Sequence, residues 1–165
     1  MKKLSLILSS LLILFLITNS FAEEKFIKGK ATVIDGDTIK IQGKSIRLSG
    51  IDAPEMKQLC FRNDVAFNCG LSAKMHLELL IKKDKGKASC RFESLDRYGR
   101  ILGTCNLLGS TKLSLNSYMV YTGNAVAYLR YSKEYIDEEK WAKENQLGMW
   151  QGNFERPEVW RKKYK

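Results

Sequence analysis

The sequence predicts a single α+β domain, on three observations. Apolar and polar residues alternate like strands from Phe26 to Ile51, helical periodicity between capping residues marks the later chain, and the first 22 residues read as a segment outside the fold. That segment begins with Lys2 and Lys3, continues as an apolar run from Leu4 to Thr18 and finishes on Ser20-Phe21-Ala22, the pattern of an export signal. Its apolar run is short beside the roughly 20 residues of a membrane span. Cleavage after Ala22 is therefore the expectation, placing the mature protein in the periplasm or medium without a membrane anchor. The mature domain is 23–165, and its 143 residues (165 less 22) suffice for one core.

The β-structure comes first. Ile39 and Ile41, then Ile46 and Leu48, alternate with polar residues, and Asp35-Gly36 and Gly43 supply the turns between runs. From Ile51 to Asn68 no period is sustained and Pro54 interrupts, which reads as a long loop of the functional kind. A helix from about Gly70 to Lys83 follows, with Leu71, Met75 and Leu79 as its expected core stripe and lysines in its last turn. Gly86 begins a turn into a hairpin from Lys87 to Leu108. Ser114 is placed to cap a second helix ending before Gly123, Ser132 a third ending before Gly148, and Pro157 to open a short terminal helix.

Charge and cysteines bound the partners and the compartment. The chain holds 28 basic and 18 acidic residues; without Lys2 and Lys3, 26 basic residues remain, a formal +8 that favours a polyanionic partner. All four cysteines, Cys60, Cys69, Cys90 and Cys105, lie in the mature part, and an even count in an exported chain suggests two disulfides with three connectivities. A hairpin register in which paired numbers sum to 195 sets Cys90 opposite Cys105 across the turn Asp96-Arg97-Tyr98-Gly99, leaving Cys60 and Cys69 to close a short loop. Zinc is disfavoured, because CxxC spacings are missing and the chain has one histidine.

The acids and arginines are the candidates for chemistry. Asp35-Gly36-Asp37-Thr38 starts one strand and Asp52-Ala53-Pro54-Glu55 follows the next strand of the same meander, so both can converge at one end of a sheet. Clustered carboxylates repel unless a cation neutralises them, and oxygen donors without His or Cys suit a hard ion. Arg47 alternates with Ile46 and Leu48 and leaves the core face, while Arg100 follows the hairpin turn; guanidinium forks match phosphate oxygens. His76, inside the first helix, has no catalytic partner nearby, which excludes two-histidine nuclease chemistry from one chain.

Taken in order, D-G-D-T, R-L-S-G-I-D-A-P-E and D-R-Y-G-R resemble the staphylococcal-nuclease-like (thermonuclease) family. The likeness continues through Leu115-Asn116, Ala127-Tyr128, Tyr131-Ser132, Gly148-Met149-Trp150 and Pro157-Glu158-Val159-Trp160-Arg161, nearly the whole mature chain. It implies a five-stranded OB-fold β-barrel with three helices packed on it, and calcium-dependent hydrolysis of DNA and RNA to 3′-phosphates by a monomer without a stable protein partner. By motif position it implies Ca²⁺ at Asp37, Asp52 and the main-chain carbonyl of Ala53, supported by Asp35. Glu55 matches the residue that orients or deprotonates water, Arg47 and Arg100 match the phosphate-binding arginines, Tyr98, Tyr128 and Tyr131 match nucleotide-pocket tyrosines, and Arg97 is placed near a terminal phosphate. Two rivals are a non-catalytic OB-fold nucleic-acid-binding module and an exported structural domain. Erosion to a binding module removes Asp37, Arg47, Asp52, Glu55 or Arg100, and all five are present.

Overall fold

The computed structural model describes residues 25–109 and 113–164. The expected export signal lies outside the described residues. In chain order the elements are β1 (Phe26–Asp35), β2 (Thr38–Ile41), β3 (Lys44–Leu48), β4 (Ile51–Asp52), β5 (Leu59–Arg62), β6 (Val65–Asn68), α1 (Cys69–Lys83), β7 (Lys87–Leu95), β8 (Ile101–Leu107), α2 (Leu115–Tyr121), β9 (Val126–Ala127), α3 (Ile136–Glu144), a 3₁₀ turn (Gly148–Gln151) and α4 (Pro157–Tyr164).

Five strands close a barrel in the order β1-β2-β3-β8-β7, with β7 returning to β1. Alternation sorts the side chains as expected: Ile39, Ile41, Ile46 and Leu48 are fully buried inside it. The β2–β3 turn is made by Gln42 and Gly43, both at positive φ (51° and 78°), the geometry that suits the strand twist. In the β7–β8 hairpin Cys90 faces Cys105, and the two form a disulfide. The register shifts beyond Phe92, where a bulge re-aims the strand ends toward the turn.

Three expectations need correction. The stretch read as a loop from Ile51 to Asn68 contains β4 and a hairpin, β5–β6, turned by Asn63 and Asp64 at positive φ (48° and 62°). Its strands are largely exposed apart from Cys60, so no buried face writes a period into the sequence. The α1 stripe is also different: Leu71, Met75 and Leu79 are 42, 52 and 58% exposed, and Cys69, Ala73, Leu77 and Ile81 form the buried face. Both stripes repeat every four residues. The small one wins because the helix lies tight on the β1–β2 turn; a Cβ placed on Gly36 stands 2.8 Å from that of Ala73. Finally, Ser132 accepts from the Glu134 amide rather than capping a helix, since α3 starts at Ile136 and carries acids in its first turn instead.

The other helix ends follow the reading. Ser114 caps α2 and Gly123 at φ 70° follows its end, while Asn68, read as the last residue of the loop, caps α1. The short terminal helix begins at Pro157 as expected. The main core fills the barrel and the space beneath α1 and α2. A smaller cluster lies outside it: the Cys60–Cys69 disulfide packs with Val126 and Met149 against Phe67, Trp150 and Phe154. The β5–β6 hairpin is thereby fastened to the C-terminal segment, and paired backbone bonds between Phe61 and Asn153 (2.8 and 2.9 Å) repeat the fastening.

Candidate active site

At one end of the barrel the β1–β2 turn, the end of β3 and strand β4 meet, and the acids they carry interlock. The Asp35 carboxylate accepts from the Asp37 amide (3.1 Å), shaping the turn so that Asp37 points inward. Asp37 Oδ2 accepts from the Ala53 amide (2.7 Å). Arg47 then ties the two acids together, one nitrogen on Asp37 and the other on Asp52 (2.9 Å). Asp37, Asp52 and Ala53 are all at most 5% exposed. Burial pushes the Arg47 guanidinium below its ordinary pKa, against the pull of Asp52, which is the cost of placing a cation here.

Asp52 is held from behind as well. Strand β4 pairs with β9, Asp52 opposite Val126, and the Ala127 amide donates to Glu139 (2.7 Å). Glu139 is buried in a fork with Arg156 (3.0 Å for each arm), with Lys143 at 2.6 Å. Burial works to raise its pKa, but these hydrogen bonds outweigh it and hold the carboxyl below the usual range. On the other flank, fully buried Asn116 donates to the Ser49 carbonyl (2.9 Å) and accepts from the Cys105 amide (2.9 Å), locking the chain just before Gly50-Ile51-Asp52.

Glu55 sits on the segment between β4 and the disulfide-fastened hairpin. Its amide donates to Gln58 Oε1 (3.2 Å), and the fully buried Gln58 donates to the Glu155 carbonyl (2.7 Å). The first turn of α1 presses on the same backbone: any Cβ on Gly70 collides with the Glu55 carbonyl, so glycine is required for the close approach.

Sequence reasoning missed Arg161. From α4 it forks onto Asp52, Nη1 to Oδ1 at 2.8 Å and Nη2 to Oδ2 at 2.9 Å, and reaches Glu55 at 3.2 Å. Burial opposes its charge, yet the bonds to Asp52 and then Glu55 raise its pKa above the ordinary arginine value. Its signal lay in the stretch from Pro157 to Arg161, which the resemblance includes without assigning it a role. Gln58 gave no signal of its own.

The residues expected to face substrate, Arg97, Tyr98, Arg100, Tyr128 and Tyr131, flank this network. Arg100 is clasped to its own hairpin by Asp96 (2.7 Å), and its charge contributes to lowering Arg47. Tyr98, 69% exposed, carries the guanidinium groups of Arg97 and Arg100 over its ring at 4.8 and 5.7 Å. Tyr128 packs edge-on to Tyr131 at 4.9 Å and under Arg161 at 6.0 Å; burial and then Asp52 push its phenol pKa up. His76 lies elsewhere, stacked near Tyr118 and within 3.3 Å of the Thr122 hydroxyl, in a structural setting.

Among the described residues no three His, Cys, Asp or Glu side chains gather at metal-ligand spacing. Asp37 and Asp52, two buried carboxylates bridged by one guanidinium, offer oxygen donors only, and donors of that chemistry suit a hard divalent cation. A site of this composition can bind phosphate through arginine and activate water through a carboxylate.

Comparison with known proteins agrees with the geometry. The sequence profile of the staphylococcal nuclease homologue family matches residues 45–152. The succinoglycan biosynthesis protein ExoI of Rhizobium meliloti (strain 1021) is 33% identical over 145 residues, covering 87% of this chain and 74% of that protein. A protein of Haemophilus influenzae (strain ATCC 51907 / DSM 11121 / KW20 / Rd), named as an uncharacterized endonuclease, is 30% identical over 168 residues, covering 97% of this chain and 86% of that protein. With an OB-fold barrel, the ordered motifs and this match, the chain belongs to the staphylococcal nuclease homologue family.

Proposed function

We propose that this protein is an exported, calcium-dependent nuclease that hydrolyses phosphodiester bonds of DNA and RNA and leaves 3′-phosphates. The observation that carries the reading is the convergence of Asp37, Arg47, Asp52 and Glu55 at one barrel end, with Arg100 on the neighbouring hairpin. The endonuclease name of the Haemophilus relative supports it. Export rests on Met1 to Ala22, and two disulfides suit an oxidising compartment. The mature unit is 23–165, acting as a monomer.

Glu55 orients the attacking water and takes its proton, while the P–O5′ bond breaks and the departing 5′-oxygen takes a proton from solvent to leave as a hydroxyl. Arg47 and Arg100 bind the phosphate oxygens, and their attraction strengthens as negative charge builds on those oxygens when the phosphorus approaches five-coordination. Tyr98, Tyr128 and Tyr131 hold the nucleotide by ring contact, with Arg97 beside a terminal phosphate. Asp37, Asp52 and the Ala53 carbonyl hold the cation, with Asp35 in support, and when bound it supplies Lewis-acid stabilisation of the phosphate charge. Arg161 positions Asp52 and Glu55 relative to one another.

The test is degradation of single-stranded DNA and RNA by the mature protein with Ca²⁺, with Mg²⁺ and with chelator. Activity is expected with Ca²⁺, weakly with Mg²⁺, which demands stricter octahedral geometry, and not with chelator. Binding without cleavage under every condition means a binding module instead.

A further inference from the structure

Beside the proposed site a groove of about 920 Å³ opens between the start of β1, the β2–β3 turn and the tip of the β7–β8 hairpin. It shares Tyr98 and Arg100 with that site. Its walls carry two further aromatic rings, Phe26 at 45% and Phe92 at 36% exposure, and the cations Lys25 and Lys44. Among the described residues, those lining it include no carboxylate. Phe26 stands at the edge of the barrel with the Lys28 ammonium over its ring at 5.1 Å, so its surface is already an aromatic face set among positive charge.

Two exposed phenylalanines rimmed by lysines make a surface suited to an occupant that is part aromatic and part anionic. Aromatic faces interleaved with cations match single-stranded nucleic acid, whose phosphates follow the charge while its bases stack on the rings. Duplex DNA keeps its bases stacked on one another and leaves the rings unused. We propose that this groove is a second nucleic-acid subsite, in which single-stranded DNA or RNA runs on from the active site with bases on Phe26 and Phe92 and phosphates facing Lys25 and Lys44. The proposal rests on the nuclease reading and extends it: the protein grips a strand several nucleotides long.

The test is equilibrium binding by fluorescence anisotropy, in Ca²⁺, of a labelled thymidine dinucleotide, a thymidine dodecanucleotide and a duplex dodecamer, using the Glu55→Gln protein to suppress cleavage. Adding Phe26→Ala weakens dodecanucleotide binding about tenfold or more and changes dinucleotide binding by less than about twofold, because a dinucleotide on Tyr98 and Arg100 is too short to extend to Phe26. Adding Lys25→Gln with Lys44→Gln instead lowers the slope of log affinity against log salt by about 1.4 for the dodecanucleotide, about 0.7 for each phosphate that is no longer neutralised. Equal losses for the two lengths, an unchanged dodecanucleotide, or a loss confined to the duplex overturns the proposal. Cleavage of the dodecanucleotide by the unsubstituted protein is read in parallel. Its absence sinks the nuclease reading, whereas cleavage together with length-independent losses sinks the groove alone.

Discussion

Replacing Arg161 with glutamine separates a positioning role from a structural one. The change removes a two-armed bond to Asp52 and one bond to Glu55, at 2.8, 2.9 and 3.2 Å. Bonds to charged groups contribute roughly 1.5–3 kcal/mol each, and stripping a fully buried pair of one partner costs about 3–5 kcal/mol. Two facts bring the expected cost below their sum: Asp52 keeps Arg47 at 2.9 Å, and the Arg161 side chain is 25% exposed. The expected loss is about 2–3 kcal/mol, which lowers Tm by roughly 5–10 °C for a domain of this size. Glu55 loses a directional anchor at the same time, and small misplacements at reacting centres cost about 100-fold. Single-turnover cleavage of a short oligonucleotide well below Tm is therefore expected to slow about 100-fold, while nucleotide binding changes little. Calcium binding by calorimetry is expected to tighten, since a positive charge has left the carboxylates. Arg161→Lys, which keeps the charge and loses the fork, is expected to recover part of the rate. A lower Tm with unchanged cleavage and calcium affinity refutes the reasoning and leaves α4 as packing alone.

Four further outcomes follow from the same geometry. Glu55→Gln is expected to reduce kcat by several orders of magnitude with oligonucleotide affinity in Ca²⁺ nearly intact, and Arg100→Lys likewise to reduce kcat more than affinity; near-normal cleavage by Glu55→Gln contradicts the mechanism. Gly70→Ala drives a methyl into the Glu55 carbonyl, so cleavage is expected to fall more than about tenfold in protein that still folds by circular dichroism. Glu139 has a depressed folded pKa, so its contribution is fully present above the unfolded carboxylate range and disappears as pH falls through the folded value. The Tm gap between wild type and Glu139→Gln is therefore expected to be widest near neutrality and to narrow as pH falls below the ordinary glutamate range; a gap that widens in acid reverses the sign.

How much of this was legible depends on whether the deciding contact was local. Ile39, Ile41, Ile46 and Leu48 announce their faces because one side of each strand meets the barrel core. Cys90 and Cys105 pair across a turn that the sequence marks, so counting finds them. Asp37, Arg47, Asp52 and Glu55 lie within one meander, and their order points to one place. Arg161 is different: it reaches Asp52 across 109 residues, and although it ends the motif stretch from Pro157, its residue type alone gives it no role apart from Arg156 or Lys162. The β5–β6 hairpin escaped because its strands bury little and its fastening comes from Asn153 and the second cluster. The α1 stripe misled because two rows shared one spacing, and only the nearness of Gly36 and Ala73 chose between them.

The charges around Asp52 explain why a nuclease of this build encloses its site with the C-terminal helix. Asp37 and Asp52 are buried, and buried carboxylates repel one another unless cations stand close. Arg47 bridges them from the strand side at Asp52 Oδ1, and the other side of Asp52, beside Glu55, meets α4. Arg161 closes that side, and α4 delivers it because Pro157 starts the helix directly after Arg156, the residue that locks Glu139 and Ala127. The chain therefore uses two adjacent arginine-based clamps, one on the strand behind Asp52 and one on Asp52 itself. Gln58 and the Cys60–Cys69 hairpin fasten that same terminal segment just ahead of α4, so the chain that carries Arg161 is anchored on both sides of Glu155.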